Sequence, residues 1–225
     1  MQVSDSYKKY TNVVALIVIA ATGLLYCLTL TPGMAWGGGD FASYVWNGQN
    51  LLAGKPLGEA PFIPNYETNT GVTIVPPMFP LALSAPIAVF GSNLEILKVY
   101  NVGILLVFLL LAYRFAVANA PSIALPFLLA LAASPQLWAM RDALMSEYLF
   151  LALVMAALLA WDRLYGIDSD ESRPYWFWLV LTSLCVCAAI LTRVVGIALL
   201  PAVFCAGIWA ERRLSRRTLT ITLLA

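Results

Sequence analysis

Long apolar runs separated by short polar segments dominate the pattern along the chain. Six of these runs approach the roughly 20 apolar residues that a helix needs to cross a bilayer. They cover residues 13–30, 99–117, 124–140, 147–161, 176–191 and 194–209. The pattern therefore predicts an all-α fold, a polytopic transmembrane helical bundle of about six spans.

The segment between the first two runs, residues 31–96, has a different character. Gly, Pro and Asn accumulate there, and no apolar run is long enough to span. Residues 41–53 carry apolar side chains close to helical spacing, and Gly54 ends the segment. This spacing predicts a short helix at the membrane surface. A second apolar segment, PPMFPLALSAPIAVFG, contains four prolines, which favours an interfacial or re-entrant element over a full span.

The composition agrees with a membrane location. Of the 225 residues, 61% are hydrophobic and 11% are charged, whereas soluble domains carry about 25% charged residues. The net charge of +1 gives no reason to expect a nucleic-acid partner. The chain has no histidine, the commonest general base and metal ligand. Its four cysteines lack metal-ligand spacing, so neither a metal nor a cofactor is predicted.

The basic residues indicate an orientation. Lys8 and Lys9 precede the first run, and Arg114, Arg163 and a cluster of four arginines follow runs that would end on the same side. The positive-inside rule assigns that side to the cytoplasm, which makes residues 31–96 a large extracytoplasmic loop. A cleaved signal peptide is the alternative for the first run, but that run is long for one. The last eight residues, TLTITLLA, resemble the start of another span. We therefore expect residues 1–225 to be a single transmembrane domain from the N-terminal part of a longer protein.

Three charged sites fall on the predicted extracytoplasmic side. They are Asp40, which follows three glycines, the turn RDALMSEY, which contains Arg141, Asp142 and Glu147, and Arg193 between the last two runs. An ionisable group at the membrane boundary is costly unless it is paired or used. Structural roles are the alternative: Asp40 and Glu147 as helix caps, Arg141 with Asp142 as an interfacial ion pair, and Arg193 as a snorkelling side chain.

Four segments resemble, in one order, the multi-spanning C-type glycosyltransferases of the protein O-mannosyltransferase and aminoarabinose transferase kind. The segments are GGGDFASYVWNGQNLLAGKPL, PPMFPLALSAPIAVFG, MRDALMSEYLFLAL and LTRVVGIALLPAV. The resemblance covers essentially the whole chain. It implies an enzyme of the bacterial inner membrane that transfers a sugar from a polyprenyl-phosphate donor to an acceptor at the extracytoplasmic face. Its partners would be membrane lipid, the lipid-linked sugar and that acceptor.

The resemblance also implies roles for individual residues. Asp40 matches the first-loop aspartate, which acts as general base on the acceptor or positions it, and Glu147 matches the acidic residue that begins the fourth span. These two are the expected catalytic residues. The expected substrate-binding residues are Tyr44, Lys55, Arg141 and Arg193, of which the cations would neutralise the donor phosphate.

Two positions depart from the family pattern. Aminoarabinose transferases have a lysine before the paired prolines, where this chain has Val75, so Lys55 or Lys98 would have to contact the phosphate instead. Protein O-mannosyltransferases place Asp and Glu side by side, but Phe41 follows Asp40 here.

A transporter or a non-catalytic membrane scaffold is the alternative function. A transporter should carry ionisable residues near mid-span and often has related halves.

Overall fold

The computed structural model describes residues 5–33, 40–57, 75–166, 173–211 and 220–223. Every regular element within these ranges is helical, as predicted. The α-helices are α1 (Asp5–Leu28), α2 (Asp40–Leu52), α3 (Met78–Phe90), α4 (Leu94–Asn119), α5 (Ala124–Ala132), α6 (Pro135–Ala139), α7 (Glu147–Tyr165), α8 (Arg173–Thr192) and α9 (Leu199–Glu211). Two 3-10 turns, Pro121–Ile123 and Val194–Ala198, precede α5 and α9.

Five helical segments are long and apolar enough to cross a membrane. They are Lys9–Leu28, Leu94–Asn119, Pro121–Ala139, Glu147–Tyr165 and Pro174–Thr192, and they correspond to the first five predicted runs. This is the architecture of an integral membrane protein. The third of these segments is not one continuous helix, because α5 ends before Ser134 and α6 restarts at Pro135.

The predicted sixth span differs from the other five. Val194–Trp209 is a shorter apolar segment, since a 3-10 turn occupies its first five residues and α9 begins only at Leu199. Five described segments, rather than six, therefore have the length for crossing. The arginine cluster at residues 212–217 and half of the TLTITLLA segment lie outside the described residues.

Helix α4 occupies the centre of the bundle, where it packs against α1, α3, α5 and α7. A core cluster of leucines, alanines and aromatic residues fills the space between α1, α4, α5 and α7. Alanines such as Ala112 and Ala152 are buried in it, and small side chains of this kind let membrane helices approach closely. Helix α7 packs in turn on α8, whose last turn contacts the 3-10 turn before α9.

The short helices α2 and α3 pack on each other near the start of α4. The predicted surface helix 41–53 is present as α2. Asn47 and Asn50 are buried, whereas Leu52 is exposed. Helix α3 covers this side of α2 closely, since a Cβ on Gly48 would lie 3.3 Å from the carbonyl oxygen of Pro80. Helix α3 contains Pro86 without a break, and its 13 residues give a length of about 20 Å, too short to cross the bilayer core of about 30 Å.

One end of the bundle brings together segments that are far apart in sequence. The Nζ atom of Lys98 at the start of α4 donates to the carbonyl oxygen of Thr31, which follows α1, at 2.7 Å. At the same end, Glu147 at the start of α7 pairs with Arg193 after α8. We call this the cleft end. The opposite end holds the hydrogen bond from Tyr113 to Asn12, with 3.0 Å between the oxygens.

Candidate functional site

A cleft of about 270 Å³ opens at the cleft end. Four separate parts of the chain line it: the first turn of α2, the residue pair before α3, the turn before α7 and the corner after α8. The lining residues are Asp40, Tyr44, Pro76, Met145, Ser146, Thr192, Arg193, Val194 and Val195. A carboxylate, a phenol, two aliphatic hydroxyls and a guanidinium thus share one cavity with apolar side chains.

Asp40 is the first residue of α2, and its side chain is exposed. An acidic side chain in the first turn of a helix is favoured by the helix dipole. The structure records no hydrogen bond or ion pair to this carboxylate from any residue that it describes. The three glycines before Asp40 lie outside the described residues. Asp40 is therefore an acceptor that faces the cleft, available to a ligand.

Glu147 and Arg193 form an ion pair at the cleft, which Arg193 and Asp40 both line. The Oε1 atom of Glu147 and the NH1 atom of Arg193 are 2.5 Å apart, and the two side chains are 20% and 35% exposed. Glu147 Oε2 is buried without a hydrogen-bond partner among the described residues. Arg193 has five N–H donors, and Glu147 is its one recorded side-chain partner in the described ranges. Arg193, which lines the cleft, therefore keeps donor capacity for a ligand.

The backbone around Arg193 is fixed by the corner that follows α8. Arg193 is extended, with φ of −148° and ψ of 134°. Its amide donates to Ala189 in α8 at 3.1 Å, and its carbonyl oxygen accepts from the Gly196 amide at 2.8 Å. A Cβ on residue 196 would lie 2.8 Å from the carbonyl oxygen of Ala189. Only glycine lets the 3-10 turn pack this closely on α8 and present Arg193 to the cleft.

Tyr44 and Ser146 join α2 to the start of α7. Both residues are buried, and the Tyr44 Oη and Ser146 Oγ atoms are 3.2 Å apart. The Tyr44 ring meets Phe79 edge to face, with 4.9 Å between ring centroids. Burial raises the pKa of Tyr44 and outweighs the hydrogen bond with Ser146, which lowers it; the charges of Asp40 and Glu147 raise the pKa further, and that of Arg193 lowers it. Tyr44 is thus a neutral hydrogen-bond donor at physiological pH.

A second charged cluster lies beside the cleft and has a structural role. Asp142 Oδ1 accepts from the Thr31 amide at 2.8 Å and lies 3.5 Å from the Nζ atom of fully buried Lys98. Arg141 lies 3.4 Å from the other Asp142 oxygen, donates from Nε to the Thr29 carbonyl and stacks on Trp138. These contacts tie the end of α1 to α4 and to the turn before α7. We call Thr31, Lys98, Arg141 and Asp142 the brace.

The brace also explains the acidity of Asp142. Burial alone would raise the pKa of this carboxyl, but the Thr31 hydrogen bonds and the charges of Lys98 and Arg141 outweigh burial, so the pKa is lowered from its ordinary value. Asp142 is therefore ionised at neutral pH and holds the two cations in place. Lys98, which could have contacted a phosphate in place of the missing lysine, is engaged in these contacts.

The six residues expected at the site divide into two groups. Asp40, Tyr44 and Arg193 line the cleft, and Glu147 joins them through its ion pair with Arg193. Arg141 belongs to the brace, and Lys55 is an exposed residue just after α2 that does not line the cleft. Sequence reasoning missed Ser146, whose only signal is its position directly before Glu147.

Another cavity, of about 170 Å³, lies between α7, α8 and α9. Its walls are apolar except for Thr182, whose hydroxyl donates to the Trp178 carbonyl at 2.8 Å. No charged side chain lines this cavity. Within the described ranges, no three His, Cys, Asp or Glu side chains are grouped so that they could hold a metal ion.

No family model, no curated protein and no solved structure matches this chain. Its function must therefore be inferred from the chemistry of the cleft residues and from their position at the end of the membrane helices.

Proposed function

We propose that this protein is a membrane glycosyltransferase that moves a sugar from a polyprenyl-phosphate donor to an acceptor hydroxyl. The observation that carries the proposal is the gathering of Asp40, Tyr44 and the Glu147–Arg193 pair in one cleft at the end of the membrane helices. A base and a cation in one water-accessible cavity are the groups that displacement of a lipid phosphate requires. The resemblance to C-type glycosyltransferases supports the same activity.

The proposed reaction is a single inverting displacement at the anomeric carbon. The acceptor oxygen forms a bond to C1 of the sugar while Asp40 takes the hydroxyl proton. The bond between C1 and the phosphate oxygen breaks, and its electron pair leaves with the lipid phosphate. Arg193 stabilises the negative charge that develops on the leaving phosphate. Glu147 holds the guanidinium in place through Oε1.

The surroundings of the cleft suit a substrate that is anchored in lipid. Val194 and Val195 line the cleft and are 75% and 60% exposed, so apolar surface reaches the charged groups. A polyprenyl phosphate likewise joins an apolar part to a charged part, because its chain stays in the hydrocarbon while its phosphate lies at the membrane boundary. A donor in the membrane and an acceptor in water could meet at Asp40.

We further propose that the cleft faces the extracytoplasmic side of a bacterial inner membrane. Arg114 lies near the end of α4 and Arg163 near the end of α7, both toward the end of the bundle opposite the cleft. The positive-inside rule assigns basic residues to the cytoplasm. Lys8 and Lys9 lie near the start of α1, at the same end of the bundle as Arg114 and Arg163. The cleft end would therefore be extracytoplasmic.

The test measures transfer of labelled sugar from the polyprenyl-phosphate pool in membranes that contain the full reading frame. Asp40→Asn should lower the rate by about 10²- to 10⁴-fold, the usual contribution of a general base. The matched control is Asp162→Asn, the same substitution near the opposite end of α7, which should leave the rate unchanged.

Two outcomes would contradict the proposal. Unchanged transfer by Asp40→Asn, at equal protein level, would remove Asp40 as the base and move the search to Glu147. Absence of transfer by every form, wild type included, would contradict the enzyme function and bring a transporter or a scaffold forward.

A further inference from the structure

The hydroxyl pair of Tyr44 and Ser146 holds more donors than its recorded contact uses. Each hydroxyl carries one O–H donor, and the 3.2 Å contact between the two oxygens uses one of the two. No other residue that the structure describes accepts the second proton. The pair therefore keeps one donor for something that enters the cleft.

The burial of the two residues indicates which oxygen carries the spare proton. Both residues line the cleft, but Ser146 is completely buried whereas Tyr44 keeps 5% of its surface exposed. If Tyr44 donated to Ser146, the Ser146 proton would be buried without an acceptor, which is unfavourable. If Ser146 donates to Tyr44 Oη, the spare proton lies on the residue that keeps exposed surface.

We propose that Ser146 is a positioning residue of this site, which donates to Tyr44 Oη and thereby directs the Tyr44 proton to a phosphate oxygen of the bound lipid-phosphate donor. This inference rests on the proposed function and assigns a ligand group to Tyr44. Arg193 shares the cleft with Tyr44, so one neutral and one cationic donor would converge on the phosphate.

The local structure supports a directing role for Ser146. Its side chain makes no capping hydrogen bond to α7, so the hydroxyl is left for Tyr44. Its carbonyl oxygen accepts from the Phe150 amide at 2.9 Å, which anchors the residue to α7. The edge-to-face contact with Phe79 fixes the Tyr44 ring. The orientation of the phenol proton is then the one freedom that remains, and Ser146 removes it.

Three variants test the inference by kinetics: Ser146→Ala, Tyr44→Phe and the double variant. We expect Ser146→Ala to lower kcat/KM for the labelled donor by about 2- to 13-fold, the equivalent of one neutral hydrogen bond. Tyr44→Phe should lose at least as much, and the double variant should be no slower than Tyr44→Phe. Tyr113→Phe, which removes a buried hydroxyl at the opposite end of the bundle, is the control and should keep the wild-type rate.

A binding measurement separates this inference from the proposed function. Farnesyl phosphate, a short prenyl phosphate, is titrated into the purified protein, and the shift of Tm gives its affinity. Weaker binding by Ser146→Ala than by wild type supports the positioning role, even if no sugar is transferred. Equal binding by the two proteins, or no binding by wild type, overturns it, as would independent losses that multiply in the double variant.

Discussion

Replacing Gly196 by Ala should displace Arg193 from the cleft and destabilise the fold. An added Cβ would lie 2.8 Å from the carbonyl oxygen of Ala189 and 2.9 Å from the Cα atom of Ile190. Both are backbone atoms of α8, so no side-chain rotation relieves the contact. The 3-10 turn must move instead, and it carries Arg193 with it through the hydrogen bond from the Gly196 amide.

The size of the effect follows from the overpacking. Forcing a methyl group into a filled space costs about 1–3 kcal/mol. Each kcal/mol corresponds to a fall in Tm of about 2–4 °C for a chain of this size. The rate of sugar transfer should fall by about 10²-fold, because a displacement of about 1 Å in a positioning group can lower a rate by that factor. Thermal unfolding in detergent and sugar transfer in membranes measure the two effects.

Gly103→Ala is the matched control for this substitution. Gly103 is exposed within α4 and has no atom within 4 Å of an added Cβ. Removing a glycine from a helix should stabilise the protein slightly, by up to about 1 kcal/mol. If Gly196→Ala unfolds at the wild-type temperature, the close packing of the turn on α8 does not hold Arg193 in place, and the account of this corner is wrong.

Two further predictions concern the brace. Folding lowers the pKa of Asp142. Its carboxylate therefore stabilises the fold at pH values above the ordinary pKa of 3.8, and this stabilisation is lost as the pH falls through the lowered pKa. The Tm of wild type should therefore fall more steeply below about pH 4 than that of Asp142→Asn, and parallel curves would contradict the contribution. Lys98→Met leaves Asp142 with one cation fewer and should cost about 3 kcal/mol in thermal unfolding. The exposed Lys9→Met should change stability by less than about 0.5 kcal/mol, and equal effects of the two lysine variants would refute the brace.

The long helices could be predicted from the sequence because apolar length is a local property. A run such as residues 99–117 must be helical in lipid, since its backbone polar groups have no other partners there. The run at residues 194–209 misled the prediction, because its composition does not reveal the 3-10 turn at its start. That turn depends on contact between Gly196 and α8, a tertiary effect that hydropathy does not contain.

The candidate site was predictable in residue type but not in its pairing. Asp40, Glu147 and Arg193 stand out as charged residues at the ends of apolar runs, and the structure brings them to one end of the bundle. Whether a cation faces the cleft or braces the fold depends on contacts across long stretches of chain. Arg141 meets Thr29, 112 positions away, and Tyr44 meets Ser146, 102 positions away. Local sequence holds no record of either contact.

The unequal lengths of the membrane helices connect the cleft to the thickness of the bilayer. Helices α7 and α8, with 19 and 20 residues, extend about 30 Å and match an average hydrocarbon core. Helix α4, with 26 residues, is longer by about 9 Å and must tilt or project beyond that core. Its first turns carry Lys98 and hence the brace. We therefore expect hydrophobic mismatch at α4 to change the depth at which the cleft meets the lipid headgroups, and with it the access of water and lipid to Asp40.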